Sequence, residues 1–334
     1  MTSVNVAILG ATGVVGREML KVLEQRAVPV GRLALLASPR SAGTKLTFRG
    51  EEHTVEAVTE EAFAGIDVAL FSAGAGTSRE WAPKAAAQGA VVIDNSSAWR
   101  MDDSVPLVVP EVNMEAAADR PRGIIANPNC STIQMVVALA PLHRASRIRR
   151  VVVATYQAIS GSGLEAVKAF EAQRRAIVAG EALDHAKLSG QLEGNLLMHW
   201  KRDEASGYQE EELKMVHETR KILGDPEIRV SPTAVRVPVV NGHSESLTIE
   251  LESPMTADQA RQLLADAPGI ELTDDFARGI YPQPVHASGQ DPVYVGRIRE
   301  DVGNPGGLQM WVVADNLRKG AALNAVQIAE RLFG

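Results

Sequence analysis

Val4-Asn5-Val6-Ala7-Ile8-Leu9-Gly10-Ala11-Thr12-Gly13-Val14-Val15-Gly16 is the stretch that decides the fold. Its first six residues read as a buried strand, and residues 17–25 continue as a helix with Met19, Leu20 and Leu23 on one side. Gly10, Gly13 and Gly16 between them let the backbone turn tightly and lie against a pyrophosphate. The helix start then offers N–H groups and a positive dipole end to that anion. A glycine pattern alone is shared by many turns. Its place directly after the opening strand makes a dinucleotide site the better reading.

Apolar runs at 33–37 and 68–71, and a strand-like run at 91–94 ending on Asp94, alternate with amphipathic stretches, the pattern of parallel βαβ units with helices on both faces. An NAD site usually ends its second strand on Asp or Glu, for the ribose 2′-OH. Here that strand runs out through Ser38-Pro39-Arg40-Ser41 with no carboxylate, and Ser38, Arg40 and Ser41 suit a 2′-phosphate, which favours NADP. Taken singly, each of these residues is equally at home in a solvated loop.

Beyond residue 128 the texture changes. Residues 133–139 read as a buried helix, 151–156 as a strand, 164–179 and 209–223 as amphipathic helices, and 234–240 and 244–251 as strands. A helix at 257–265, strands at 293–298 and 308–314 and a final helix at 321–332 complete an α+β half with a substantial antiparallel sheet.

The chain has 334 residues, enough for two domains, with 45% hydrophobic and 22% charged residues, an ordinary globular balance. Its formal charge of −7 disfavours a nucleic-acid or anionic-membrane binder, and no apolar run has membrane-spanning length. There is one cysteine, so an intrachain disulfide is impossible, and a lone thiol without a signal-like N-terminus fits the cytoplasm.

That thiol, Cys130, stands in Asn127-Pro128-Asn129-Cys130-Ser131-Thr132 just before the apolar helix. An arbitrary cysteine is most often a small buried hydrophobe. One at a helix N-terminus has its thiolate stabilised and is a better nucleophile. Among the histidines, His53, His143, His185, His199, His217 and His286 have no motif around them and read as surface or satisfied residues. His243 follows Asn241-Gly242, a two-residue hairpin signal, and in such a hairpin Arg236, Val240 and His243 share a face. Glu211 and Lys214 share a helix face, as any surface ion pair would. Residues 156–163 run from a strand into a glycine-rich turn, either a ligand approach or a tight connection.

Several stretches together resemble the aspartate-semialdehyde dehydrogenase family. They are the glycine loop at 10–16, Asn95-Ser96-Ser97-Ala98-Trp99-Arg100, Asn127 to Gln134, Thr155-Tyr156-Gln157-Ala158, Lys214-Met215 with Glu218-Thr219-Arg220-Lys221, Arg236-Val237-Pro238-Val239 through Gly242-His243-Ser244-Glu245-Ser246, and Asp315-Asn316-Leu317-Arg318-Lys319-Gly320. The resemblance implies a reversible reaction: L-aspartate 4-semialdehyde, phosphate and NADP give 4-aspartyl phosphate and NADPH. The reductive direction would serve lysine (through diaminopimelate), threonine, methionine and isoleucine synthesis. It implies Cys130 as nucleophile, through a hemithioacetal and a thioacyl intermediate, His243 as acid/base and Gln157 as the residue orienting substrate. Arg236 would hold the α-carboxylate and Glu211 the α-amino group, with Glu210 and Glu212 as alternatives to Glu211. Phosphate would fall to Arg100, Asn129 and Lys214. NADP would be contacted by Gly10, Thr12, Gly13, Val14, Val15, Ser38, Arg40, Ser41, Ser160, Gly161 and Asn316, with no metal. The stretch 182–203 departs from the family, only Asn195 of Leu192-Glu193-Gly194-Asn195-Leu196-Leu197-Met198-His199-Trp200 corresponding.

The expected fold class is therefore α/β: an N-terminal Rossmann NADP-binding domain (1–127 with 315–334) plus an α+β catalytic/dimerisation domain (128–314), glyceraldehyde-3-phosphate-dehydrogenase-like. The expected partners are the small-molecule substrate, phosphate and a second copy in a homodimer, with a tetramer as the larger alternative, and neither nucleic acid nor membrane. Two rivals stand beside this reading. N-acetyl-γ-glutamyl-phosphate reductase shares the thioacyl logic but sets its cysteine in Gly-Cys-Tyr, unlike Asn129-Cys130-Ser131. A non-catalytic NADP-binding regulator would have no use for Cys130, Gln157, Arg236 and His243 together.

Overall fold

The computed structural model describes residues 3–183 and 190–334. The chain falls into two compact units, Met1–Asn129 with Ala321–Gly334, and Cys130–Gly320. These limits differ from the expected ones by a few residues at each crossing and put Asn316 in the second unit.

The first unit contains β1 (Val4–Leu9), α1 (Val14–Gln25), β2 (Val30–Ala37), β3 (Lys45–Phe48), β4 (Glu51–Thr54), β5 (Glu56–Ala57), β6 (Val68–Phe71), α2 (Ala75–Ala87), β7 (Val91–Asp94), α3 (Pro110–Asn113) and β8 (Ile124–Ala126). Its main sheet is parallel in the order β5-β2-β1-β6-β7-β8, while β3 and β4 pair as a separate antiparallel hairpin. The apolar runs are buried because a parallel sheet is covered on both faces. Val6 and Ile8 of β1 pack with Met19, Leu20 and Leu23 of α1 in one core. Sheet order reverses between β1 and β6, the place where doubly wound folds take ligands.

The second unit begins with α4 (Cys130–Ala145), followed by β9 (Ile148–Gln157), α5 (Leu164–Ala179), α6 (Glu210–Leu223), β10 (Arg229–Arg236), β11 (His243–Leu251), α7 (Ala257–Ala265), β12 (Ile270–Leu272), α8 (Pro284–Ala287), β13 (Val293–Glu300) and β14 (Leu308–Ala314). Nearly every residue of α4 from Ser131 to Leu142 is buried, as befits a helix apolar all round. It packs against α6, α7 and the sheet. That sheet runs β10-β9-β11-β14-β13-β12 and is mixed: β10 is parallel to β9 and β12 to β13, with antiparallel pairs between. Along β9 one face is buried, while the other presents Val152 and Tyr156, 38% and 37% exposed. The last helix, α9 (Leu323–Phe333), belongs to the first unit, where Leu323, Val326, Ile328 and Ala329 join the core.

One expectation fails here. Asn241-Gly242 is not the turn of a hairpin, because β9 lies between β10 and β11. β10 ends at Arg236, not at residue 240, since Pro238 has no N–H to continue a ladder. Residues 239 and 240 instead accept hydrogen bonds from the N–H groups of Ile159 and Ser160, so the connection crosses the end of β9. Val240 is 38% exposed and does not share a face with Arg236 and His243, which are both buried.

Candidate active site

In the first unit the glycine loop lies at the reversal of sheet order. The N–H groups of Gly10 and Ala11 donate to the Leu36 carbonyl, at 2.8 and 3.2 Å, tying the loop to the end of β2. Gly10 has φ +89°, and a Cβ there would meet the Ser72 carbonyl oxygen at 2.3 Å, so only glycine fits. At Gly13 a Cβ would meet only the Gly10 oxygen, at 3.3 Å, and α1 starts at Val14 with no side chain capping it. Thr12, Gly13, Val14 and Val15 thus lie at a helix start suited to a pyrophosphate. Past the end of β2, Ser38 and Arg40 are exposed and Ser41 is half-buried in a short turn, Pro39–Ser41. This polar turn without a carboxylate fits a dinucleotide bearing a 2′-phosphate.

Arg100 is also in the first unit, buried, and donates through Nε to the Asn127 carbonyl and through Nη2 to the Asn95 carbonyl, both at 3.0 Å. Asn127 is itself fixed by Asn95 and Asn324. Asn129 is buried at the end of this segment.

The second unit gathers Cys130, Gln157, Glu211, Lys214, Arg236 and His243. Cys130 is the first residue of α4 and is partly exposed. Its Sγ lies 3.3 Å from His243 Nε2, and the other ring nitrogen, Nδ1, accepts the backbone N–H of Ala158 at 3.0 Å. Gln157 and Arg236 are register partners at the C-terminal ends of the parallel strands β9 and β10. Arg236 donates through Nη1 to the Ala158 carbonyl, so Ala158 is held between Arg236 and His243. Gly161 explains how the two approach: a Cβ there would sit 3.1 Å from Arg236 Nη1 and 3.1 Å from His243 Cε1. Gly320 does the same for the thiol, since a Cβ there would lie 2.9 Å from Cys130 Cβ.

Gln157 Nε2 donates to Glu211 Oε1 at 3.2 Å, and Glu211 Oε2 pairs with Lys214 Nζ at 3.0 Å. The three adjacent glutamates separate here. Glu212 takes the N–H of Gln209 in a capping box and that of Ala234, and Glu210 pairs with Lys201 at the surface. Glu211, 4% exposed, is the one that joins the site. Ser160 and Asn316 bond each other at 2.9 Å, and Asn316 Oδ1 accepts the Gly242 N–H.

Burial holds the His243 imidazole down to about 3, with the Arg236 guanidinium adding to the effect and Glu211 opposing it. Burial also lowers Arg236 from its ordinary value, against the attraction of Cys130 and Glu211. His243 is therefore neutral at physiological pH, beside a permanent cation.

Two neighbours carry no sequence motif. His199 Nε2 lies 3.4 Å from Arg236 Nε, and the Arg236 guanidinium carbon sits over the Trp200 ring. Burial, then the Arg236 charge, keeps His199 below its ordinary value and so able to accept. His199, among the histidines read as surface or satisfied, is half-buried with Arg236 as its partner. The only signal was the departure of 182–203 from the family, which said nothing of Arg236, although Leu197 and Arg236 exchange backbone hydrogen bonds. His143 is satisfied by the Ile148 N–H and Asp225, His53 packs on Phe48, His217 and His286 are exposed, and His185 lies outside the described residues. Among the described residues no group of three or more His, Cys, Asp or Glu could hold a metal ion, and no helix is long and apolar enough to cross a membrane.

Comparison with known proteins places this geometry. Residues 5–120 match the family model "Semialdehyde dehydrogenase, NAD binding domain", and residues 139–319 match "Semialdehyde dehydrogenase, dimerisation domain". The aspartate-semialdehyde dehydrogenase of Aquifex aeolicus is 56% identical over 98% of this chain and 97% of its own. That of Bacillus subtilis is 49% identical over 98% and 97%. The structure of aspartate semialdehyde dehydrogenase II from Vibrio cholerae, complexed with ASA, superposes with a TM-score of 0.96 at 47% identity, covering 99% of this chain and 98% of that one. The Candida albicans enzyme with NADP superposes with a TM-score of 0.78 at 26% identity over 99% and 98%.

Proposed function

Because the chain belongs to the aspartate-semialdehyde dehydrogenase family, we infer that Cys130 is the nucleophile of its oxidoreductase reaction and that the residues gathered around it bind the semialdehyde. In this reading the reaction interconverts aspartate semialdehyde, phosphate and NADP with 4-aspartyl phosphate, NADPH and a proton, in amino-acid biosynthesis. Neither N-acetyl-γ-glutamyl-phosphate reductase nor a non-catalytic regulator finds support in the comparisons.

The observation that carries the assignment is the Cys130 Sγ to His243 Nε2 distance of 3.3 Å at the start of α4. The helix start, the Arg236 guanidinium and the imidazole all favour sulfur as a thiolate. Attack on the aldehyde carbon gives a hemithioacetal, and loss of hydride converts it to a thioacyl enzyme. Covalent capture divides one hard step into two easier ones. NADP, when bound, supplies the hydride acceptor. Phosphate then displaces the thiolate from the acyl carbon.

The planar fork of Arg236 suits the α-carboxylate, and the buried Glu211 the α-amino group. Gln157, bonded to Glu211, orients the substrate near the thiol. Lys214 is the cation of that unit assigned to phosphate, while Arg100 and Asn129 carry the same assignment in the first. For NADP, the support in the first unit is the glycine loop and Ser38, Arg40 and Ser41, and in the second the Ser160–Asn316 pair beside Gly161.

The exposed sheet face that carries Val152 and Tyr156, with Trp311 5.3 Å from Tyr156, suits a second copy of the chain in a homodimer. The lone thiol accords with the cytoplasm. The purified protein should reduce NADP with aspartate semialdehyde only when phosphate is present. Activity without phosphate, or activity kept by Cys130→Ala, would overturn the assignment.

A further inference from the structure

A guanidinium carries five N–H hydrogens and no acceptor. Arg236 is buried, and among the described residues it donates to two acceptors: the Ala158 carbonyl through Nη1, and His199 Nε2 through Nε at 3.4 Å. Two of the five are thus engaged, and the three left on Nη1 and Nη2 are enough for a parallel pair to a carboxylate without breaking either bond.

His199 reaches Arg236 because its segment is anchored at both ends. Leu197 and Arg236 exchange backbone hydrogen bonds at 3.1 and 2.8 Å, as an isolated antiparallel bridge beside β10. The Trp200 N–H donates to the side chain of Gln209, the residue that caps α6, at 3.3 Å. Between these anchors the Trp200 ring lies against the face of the guanidinium and stands edge-on to the His199 ring.

Resting on the reading of Arg236 as the carboxylate holder, we propose that His199 is a positioning residue for substrate recognition. As acceptor of the Arg236 Nε–H, it stops the guanidinium turning, so that the remaining N–H groups meet the α-carboxylate in their own plane.

The geometry gives the reason. The Trp200 face sets the plane of the guanidinium but leaves it free to rotate within that plane. The Ala158 carbonyl holds one nitrogen, and His199 holds a second. Two points and a face define the position of a flat group, and a bidentate pair depends on that position. If the acceptor at 199 is removed, the buried Nε–H has to turn toward another partner or stay unsatisfied. The fork then moves with it.

Only a neutral imidazole can accept, and the surroundings keep it neutral. Arg236 of β10 disfavours a second cation, and burial acts in the same direction. Glu211 of α6 pulls the other way, but its carboxylate is shared with Gln157 and Lys214. The Cys130 thiolate at the start of α4 favours the Arg236 charge, and the buried His243 of β11 is neutral.

A double-mutant cycle in steady-state kinetics, with saturating NADP and phosphate, tests the proposal. His199→Leu should raise KM for aspartate semialdehyde by at least about tenfold, with kcat within about twofold. His199→Gln, whose side-chain oxygen can accept, should stay within about threefold of the unsubstituted KM. In an Arg236→Lys background, where no planar fork is left to orient, His199→Leu should change KM by less than about twofold. The rate at which iodoacetamide alkylates Cys130 should be the same in both His199 variants and the unsubstituted enzyme. Equal losses in the two backgrounds, no rescue by glutamine, a loss carried by kcat or an altered alkylation rate would each make His199 a support of the fold at large and overturn the proposal. An unchanged KM in Arg236→Lys alone would overturn the carboxylate assignment, and the proposal with it.

Discussion

The guanidinium carbon of Arg236 lies 4.7 Å from the centroid of the Trp200 ring. A cation–π contact between the buried Arg236 and the half-buried Trp200 is worth about 1–2 kcal/mol and also fixes the plane of the fork. Trp200→Leu should therefore raise KM for aspartate semialdehyde by roughly tenfold, with kcat changed by less than about twofold. Steady-state kinetics with saturating NADP and phosphate check this. An unchanged KM would show that the ring does not orient Arg236.

Arg236→Lys keeps the charge but loses the planar pair of donors. Removing one charge-assisted hydrogen bond costs about 2 kcal/mol, so KM should rise roughly thirtyfold. If the variant binds substrate as the unsubstituted enzyme does, the carboxylate is held elsewhere.

A methyl group at Gly320 would lie 2.9 Å from Cys130 Cβ, against the first turn of α4 rather than a flexible side-chain end. Gly320→Ala should displace the thiol from His243 and cut kcat by at least about tenfold, since small misplacements of a nucleophile are costly. Stopped-flow detection of the hydride-transfer burst separates this from slower product release. A burst of normal rate would show that the neighbourhood gives way without moving sulfur.

Asp225 shows how pH acts on the second unit apart from chemistry. Arg147 Nε and Nη2 each donate to its carboxylate at 2.8 Å, and this side-chain bonding brings the Asp225 carboxyl down to about 2. The folded state thus binds the proton less readily than the unfolded chain, whose Asp titrates near about 4. The stabilisation is fully present above about pH 4 and is lost as pH falls through about 2. Asp225→Asn should lower Tm at neutral pH by about 2–4 °C per kcal/mol lost, and the gap should narrow between about pH 4 and pH 2. A gap independent of pH in thermal scans would contradict the charge pairing.

Much of the fold could be read from the chain because buried parallel strands and long amphipathic helices announce themselves locally. Residues 68–71 are a continuous apolar run and 91–94 an apolar run ending on Asp94, and they coincide with β6 and β7. The helices expected at 164–179 and 257–265 coincide with α5 and α7. Pairing is not local, and there the reading failed. Asn241-Gly242 carries a strong hairpin signal, yet β9, some eighty residues earlier in the chain, takes the place between β10 and β11. The hairpin β3–β4 went unread because most of its exposed positions are charged, with only Leu46 and Phe48 to mark a buried face.

The site divides in the same way. Cys130 is legible from its place before an apolar helix, and the resemblance supplies roles for Gln157, Arg236 and His243. The choice of Glu211 over Glu212 needed the helix cap, although a Glu three residues after a capping position is a readable sign that Glu212 is engaged at the helix start. His199 and Trp200 could not be found from local pattern, because what draws them to Arg236 is the backbone pairing of Leu197 with that residue.

The solitary sulfhydryl has a practical consequence. Cys130 is the one cysteine in the chain and is partly open to solvent. A maleimide or iodoacetamide tag therefore has a single possible cysteine destination, with no background from other thiols. Label incorporated per polypeptide counts competent molecules directly, and the activity remaining should fall in strict proportion to it.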